Sequence, residues 1–321
     1  MKEVAVGIDI GGTNTAIGIV DRDGHSLVET SIPTDTHDDV ALYVEEVSKK
    51  IQEVASNLSD ILVIKGIGIG APNANYHKGT IENAPNLRWK GIIRFNELFK
   101  KYFPDLPVSL TNDANAAAMG EMIYGAAKGM NDFIVITLGT GLGSGIVSNG
   151  ELVYGHDGFA GEIGHTIAIP GGRVCGCGRR GCLETYASAT GVKRSIFQIM
   201  CDSTKPSALR EIPFSKMTSS DVYNEAIKGD ELALQCFEMT GKILGEKLAD
   251  TVAHTSPEAI FLFGGMAKSG DLIINPTKKY MEEALLPIFK NKVKILPSGL
   301  QNVNAAVLGA SALVWNELMK K

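Results

Sequence analysis

The sequence predicts an α/β protein of two compact domains. Three observations predict it. The chain has 321 residues, more than one hydrophobic core ordinarily serves. Continuous apolar runs such as "VIKGIGIG" at 63–70, which read as strands buried on both faces, alternate with segments of helical periodicity. One plan also occurs twice, as "VGIDIGGTNTAIGIVDRDG" at 6–24 and "VITLGTGLGSGIVSNG" at 135–150. Each copy is an apolar strand, a Gly/Thr/Asn turn, a second apolar strand, then a D-G or N-G turn. Two related halves would each offer a backbone turn to one shared anion, because glycines let main-chain N–H groups approach a phosphate unobstructed.

The elements follow in order. Residues 4–10 and 16–21 alternate as strands around "GGTN", and "DRDG" turns into a third strand at about 26–32. Val40, Val44, Val47, Ile51 and Val54 mark a helix over 38–57, with Asp38 and Asp39 at its N-terminus. After "VIKGIGIG", residues 73–91 read as loop. "PVSLTND" is a short strand, and "ANAAAMGEMIYGAA" is a helix starting near Asp113. The second copy of the plan ends in an Asn-Gly hairpin. Helices are expected at 185–200, 218–228, 231–255 and 276–289. "AIFLFGG" is a buried strand ending in Gly264 and Gly265, and "NAAVLGASALVWNELMKK" is a closing helix.

Composition narrows the function. Charged residues are 21% and the net charge is −5, a poor balance for a general polyanion binder. The N-terminal stretch meets Glu3 and Asp9, so it has no apolar targeting core. Lys65 and glycines break the longest apolar stretch, so no membrane span is expected. A cytosolic location follows as the expectation. Five cysteines make no disulfide framework in a chain of this size. Cys201 and Cys236 fall in helical patterns and read as buried thiols. The other three crowd into "GGRVCGCGRRGCLE" at 171–184. They are odd in number, and bridges over so few residues would be strained, so metal ligation is the more natural use and free thiols the alternative. A nucleic-acid zinc ribbon would need more basic neighbours than Arg173, Arg179 and Arg180. The two glycine turns join strand to strand, so neither a P-loop nor a dinucleotide fingerprint fits.

Four motifs fall in one order: "DIGGTN" at 9–14, "NDANAAA" at 112–118, "GTGLGSG" at 139–145, and "GEIGH" at 161–165 followed by "CGCGRRGCLE". This set resembles the ROK family of sugar kinases and repressors, and its glucokinases most. The resemblance runs from about residue 4 to the C-terminus. It implies two actin-like (ribonuclease H-like) domains with an interdomain cleft. The small domain would be 1–111 completed by the C-terminal helix 303–321, and the large domain 112–302 with a zinc-binding loop.

The resemblance also assigns residues. His165, Cys175, Cys177 and Cys182 would form a closed tetrahedral Cys₃His site, so the zinc would be structural. His165 would turn its other ring nitrogen toward a sugar hydroxyl. Asp113 would be the catalytic base; a helix N-cap is the alternative. Asn83, Asn86, Asn112, Glu162, His165 and Glu184 would join Asp113 in holding the sugar. Gly11, Gly12, Thr13 and Asn14 on one side, and Thr140 and Gly141 on the other, would hold phosphate. Gly264 and Gly265 would lie against adenosine, or simply turn strand into helix. Asp9 would hold Mg²⁺ through water, or cap its own turn. Asp21 and Asp23 read as hairpin residues only. "GAPN" at 70–73 departs from the family's G-x-P-G, and Asn73 adds a side chain near the sugar.

The implied activity is ATP-dependent phosphorylation of a hexose, glucose to glucose 6-phosphate, with Mg²⁺. Fructose, allose or N-acetylmannosamine is the alternative substrate, and polyphosphate the alternative donor. A non-catalytic sugar sensor or repressor is the rival of another class. Such repressors carry a helix-turn-helix ahead of the kinase-like part, for which a phosphate motif starting at Asp9 leaves no room. Implied partners are hexose, ATP and a second copy, as homodimer or homotetramer, with no nucleic acid and no membrane.

Overall fold

The computed structural model describes residues 2–58, 62–300 and 305–320. Its first half begins with β1 (Lys2–Ile10), β2 (Asn14–Asp21) and β3 (Ser26–Pro33). Helix α1 (Val40–Ser56) follows, capped by Asp39, whose carboxylate accepts from the Ala41 N–H. It buries Tyr43, Val44, Val47 and Ile51 against the sheet. Next come β4 (Leu62–Gly70), the short β5 (Ala74–Asn75), β6 (Thr80–Glu82) and β7 (Ile92–Ile93), then α2 (Phe95–Lys100), β8 (Val108–Thr111) and α3 (Asp113–Ile123). The main sheet has order β3-β2-β1-β4-β8. β1 runs antiparallel to β2 and parallel to β4, and β4 runs parallel to β8.

The second half repeats this arrangement. β9 (Phe133–Leu138), β10 (Leu142–Ser148) and β11 (Glu151–Leu152) form the meander. The helices α4 (Glu184–Ala187), α5 (Ala189–Cys201), α6 (Ser219–Ala226) and α7 (Glu231–Thr255) intervene before β12 (Ala259–Phe263). Then come α8 (Asp271–Ala284), β13 (Lys294–Pro297) and α9 (Ala305–Met319). The sheet order is β11-β10-β9-β12-β13, with the same pattern of antiparallel and parallel pairs. The repeat seen in the sequence is therefore a repeat of topology, and the architecture is the actin-like two-domain fold. Among the described residues no helix is long and apolar enough to cross a membrane.

Four expectations need correction. The stretch 73–91 is not all loop, because β5 and β6 lie within it, paired with each other, and β6 pairs in turn with β7 just beyond it. Strands of two or three residues leave no periodic signature. The helix expected over 185–200 breaks at Ser188, which caps α5 by accepting from the Gly191 N–H. Helix α8 starts five residues before its expected position, with Pro276 inside it. Pro276 seats against α7, where a methyl group on Gly241 would lie 2.6 Å from the proline Cγ. Cys201, at the end of α5, is exposed, whereas Cys236 is buried as expected.

The two halves are joined by an exchange of helices. Helix α3 leaves the first sheet's last strand but packs on β9 and β10 of the second. Helix α9 leaves the second sheet's last strand but packs on β1, β2 and β4 of the first. The approaches are backbone to backbone. A methyl on Gly68 would lie 1.8 Å from the Ala310 carbonyl oxygen, and one on Gly145 2.7 Å from that of Ala114. Where the helices cross, a methyl on Gly309 would lie 2.3 Å from the Ala116 carbonyl oxygen. Fully buried Glu121 in α3 accepts from Ser298 Oγ and from the N–H groups of Ala126 at 2.9 Å and Gly299 at 3.3 Å. That ties α3 to the segment leading into α9.

Gly309→Ala tests the crossing. Alanine ordinarily stabilises a helix interior over glycine by about 1 kcal/mol. Here the overpacked methyl should outweigh that gain and lower stability by about 1–3 kcal/mol, read as a lower denaturation midpoint. An unchanged or raised midpoint would show that the helices part freely.

Candidate active site

Strand register builds the floor of the cleft. Asp9 pairs with Gly70 of β4, and Gly70 pairs with Thr111 of β8. Three parallel strands thus end in one row, the edge where open α/β sheets bind ligands. Gly70 between them has no side chain, and a methyl there would sit 3.8 Å from both Asp9 Oδ1 and Asp113 Cα. Asp9 and Asp113 therefore both lie beside this bare position. Burial, with the charge of Asp113 behind it, pushes Asp9 up to about 6.

Asn112, not Asp113, caps α3: its Oδ1 accepts from the Asn115 N–H at 2.6 Å. Asp113 is the first helical residue, and one carboxylate oxygen accepts from the Ala114 N–H at 2.9 Å. Its side chain opens onto the cleft, yet the cleft walls crowd it. Desolvation there pushes its pKa up against that backbone bond. Asn112's Oδ1 is committed to the cap, so only its amide nitrogen is left for a ligand.

Residues 11–13 form the turn between β1 and β2. The Gly11 N–H donates to the Asn14 carbonyl at 3.0 Å, and Gly12, Thr13 and Asn14 are exposed. Behind the turn, buried Thr15 bonds Thr34 at 2.8 Å and the Tyr43 hydroxyl at 2.6 Å. Gly12 lies against the loop of Asn83 and Asn86, where a methyl would come 2.8 Å from the Asn86 carbonyl oxygen.

The matching turn of the second half, 139–141, closes with Gly139 N–H to Gly141 O at 3.0 Å. Thr190 Oγ1 donates to the Thr140 carbonyl at 2.9 Å. Glu184 lies beneath: its Oε2 accepts from the Leu142 N–H at 3.1 Å, and its Oε1 meets Cys175 Sγ at 3.4 Å. Glu184 so bridges the end of the 139–141 turn and the cysteine loop. Glu162 precedes a one-turn 3-10 helix, Ile163–His165. Burial raises its pKa; His165 opposes this, and the charges of Asp113 and Glu184 add to it.

The donor atoms of His165, Cys175, Cys177 and Cys182 all lie within 4.8 Å of one another. Cys177 and Cys182 sulfurs are 3.6 Å apart, and His165 Nδ1 is 3.6 Å from Cys175 Sγ. Tetrahedral donors about 2.3 Å from zinc are about 3.8 Å apart, so this set fits such an ion. Nδ1 faces the sulfurs, which leaves Nε2 on the outer side of the ring.

Gly264 and Gly265 separate in role. Gly264 has φ +100°, and a methyl there would lie 2.7 Å from the Leu138 carbonyl oxygen, so it serves the backbone. A methyl on Gly265 would meet nothing within 4 Å, so Gly265 borders open space. Asp21 and Asp23 are hairpin residues, with Asp21 Oδ1 accepting from the N–H groups of Asp23 and His25.

Sequence reasoning missed two supports. The Arg173 guanidinium donates to the carbonyls of Thr185 and Gly191, to Ser195 Oγ and to Gln198 Oε1, clamping the cysteine loop onto α5. No local pattern marks an arginine for that task. The clasp across the cleft was also invisible: Asn75 Nδ2 donates to the Asp157 carbonyl at 2.7 Å, and Tyr76 stacks on Tyr154 at 4.1 Å.

The sequence model of the ROK family matches residues 5–317. The chain is 36% identical to the glucokinase of Halalkalibacterium halodurans, over 96% of this chain and 94% of that one. It is 30% identical to the xylose repressor of Bacillus spizizenii, over 97% of this chain and 76% of the repressor. A crystal structure of a ROK family glucokinase from Streptomyces griseus, in complex with glucose and AMPPNP, superposes with a TM-score of 0.80. It is 31% identical and covers 98% of this chain and 99% of that one.

The geometry around Asp9 predicts a stability effect. Its native pKa, about 6 against an ordinary 3.8, means that ionising it costs the fold free energy. That cost is absent below about pH 4 and complete above about pH 6. In chelator, Asp9→Asn should therefore be more stable than the parent at pH 7.5, by about 1–3 kcal/mol. The gain should shrink toward pH 4.5. A gain independent of pH, or no gain, would show that Asp9 carries no such burden.

Proposed function

The chain belongs to the ROK family, and from that membership we propose that it is an ATP-dependent hexose kinase whose first substrate is glucose. One observation carries the reading. Asp9 and Asp113 lie close together at the strand ends while Asn112 takes over the capping. A sugar sensor needs neither a free carboxylate at 113 nor an acidic partner beside it.

Asp113 accepts the proton of the sugar 6-hydroxyl as that oxygen attacks the γ-phosphorus. The bond from phosphorus to the bridging oxygen breaks, ADP leaves, and the proton passes from Asp113 to water. A raised pKa makes the carboxylate a better acceptor, and the rate falls with pH as Asp113 protonates. Asn83, Asn86, Asn112, Glu162, Glu184 and His165 Nε2 are the proposed sugar contacts, with carboxylates accepting from hydroxyls. The turns at 11–14 and 140–141 hold phosphate, and Gly265 borders the nucleotide. Asp9 is the residue to hold Mg²⁺ through water; bound with ATP, the ion neutralises phosphate charge.

His165, Cys175, Cys177 and Cys182 hold zinc in this reading. Four protein donors leave no open position, so the metal supplies structure rather than chemistry. It would hold together the cysteine loop, which lies beside Glu184, and His165, which stands three residues beyond Glu162. Assembly as a homodimer or homotetramer comes from the family resemblance, and mass measurement in solution decides it.

A sugar-phosphate assay over glucose, fructose, allose and N-acetylmannosamine, with ATP or polyphosphate as donor and ADP release followed in the ATP arm, tests the whole reading. Glucose with ATP should give the highest kcat/KM; no turnover of any hexose would sink it. Asp113→Asn should lower kcat by about 10²–10⁴-fold and leave glucose affinity within a few-fold. Retention of kcat would remove Asp113 from the chemistry. Elemental analysis should find about one zinc per chain. Cys177→Ser should lose the metal and, with it, glucose affinity.

A further inference from the structure

Asn73 stands where the family pattern has glycine, and the structure gives its side chain a task. Its backbone is left-handed, with φ +51°, a conformation asparagine tolerates better than most residues. Its amide does not point at the sugar loop's tip. It turns back, and Nδ2 donates to the carbonyls of Glu82 at 3.1 Å and Asn83 at 3.4 Å. The Glu82 N–H returns a bond to the Asn73 carbonyl at 3.0 Å.

Asn83 carries the fastening onward. It too is left-handed, at φ +51°. Its N–H donates to the Gly91 carbonyl at 2.9 Å, and its Oδ1 accepts from the Gly91 N–H at 3.2 Å. Within the ring so closed, Lys90 Nζ donates to the carbonyls of Ala84 at 3.0 Å and Leu87 at 2.7 Å. Trp89 Nε1 anchors the loop on the His37 carbonyl at 3.0 Å. The loop's tip, Asn86, rests against Gly12 of the phosphate turn.

We propose that Asn73 is a positioning residue for the sugar, acting as a strap that presets the Asn83–Asn86 loop. The inference rests on the hexose-kinase reading. A glycine would keep the left-handed backbone but could not tie the two carbonyls. Without the strap, sugar binding itself would have to order the loop, and that cost subtracts from affinity. The loop holds the sugar equally before and during phosphoryl transfer, so the loss should fall on KM and not on kcat.

The test compares Asn73→Gly and Asn73→Asp with the parent. Both accept the left-handed backbone, and both lose the amide donor. By calorimetry each should bind glucose roughly 3- to 20-fold more weakly, the range of one or two hydrogen bonds. Affinity for an unhydrolysable ATP analogue should not change. Glucose KM should rise in parallel with kcat held within about twofold. The amides of Glu82, Asn83 and Gly91 should exchange hydrogen faster in the sugar-free variants. Unchanged glucose affinity in Asn73→Gly overturns the proposal, as does equal loss of glucose and nucleotide affinity. If the parent turns over no hexose, the kinase reading fails, while glucose affinity and exchange still judge the strap.

Discussion

Asp113, and the strand ends around Asp9 and Gly70, take their place from two helices that cross with their backbones in contact. Helix α3 begins at Asp113 on the first sheet's edge and then lies on the second sheet. The proposed base is therefore fastened to both halves. Helix α9 makes the reciprocal crossing and covers the strands that end in Asp9 and Gly70. Neither helix could approach so closely over side chains, which is why glycines lie under them on both sheets.

The cleft concentrates like charge. Asp9, Asp113, Glu162 and Glu184 come from four separate elements, burial raises the pKa of the first three, and the charge of Asp113 adds to the rise at Asp9 and Glu162. Such a cluster works against the folded state when empty. In the proposed reading sugar hydroxyls would donate to these carboxylates and a divalent cation would neutralise them, so binding would relieve the strain that assembling the site created. The cysteine loop and Arg173 matter in this light. They hold Glu184 against the 139–141 turn, where it could otherwise swing away from its neighbours.

Much of this was legible in the sequence because it is local. Apolar strands around glycine turns announce themselves, and the repeated plan became a repeated sheet order. The clustering of His165 with three cysteines also survived into three dimensions. What stayed hidden depends on neighbours far along the chain. Asp113 could not be told from a cap until Asn112 was seen accepting the Asn115 N–H. In "GTGLGSG" the glycines looked alike, yet Gly143 and Gly145 seat α3 while Gly139 and Gly141 make the turn. Gly264 and Gly265 divided in the same way. The helix expected from 276 begins at Asp271, and packing against Gly241 lets Pro276 sit inside it. Asn73 promised a side chain near the sugar, and its amide turned to the loop's own carbonyls.

The helix exchange also sets a clock on synthesis. The first sheet's last strand ends at Thr111, but the helix that covers its face begins at Ala305. At about 5–20 residues per second, a ribosome needs on the order of 10–40 s to bridge that interval. For that time the first half has its strands and α1 but lacks the apolar lid over β1 and β4. The N-terminal half is thus made first yet completed last, and the whole protein matures only after the final turn of helix leaves the ribosome.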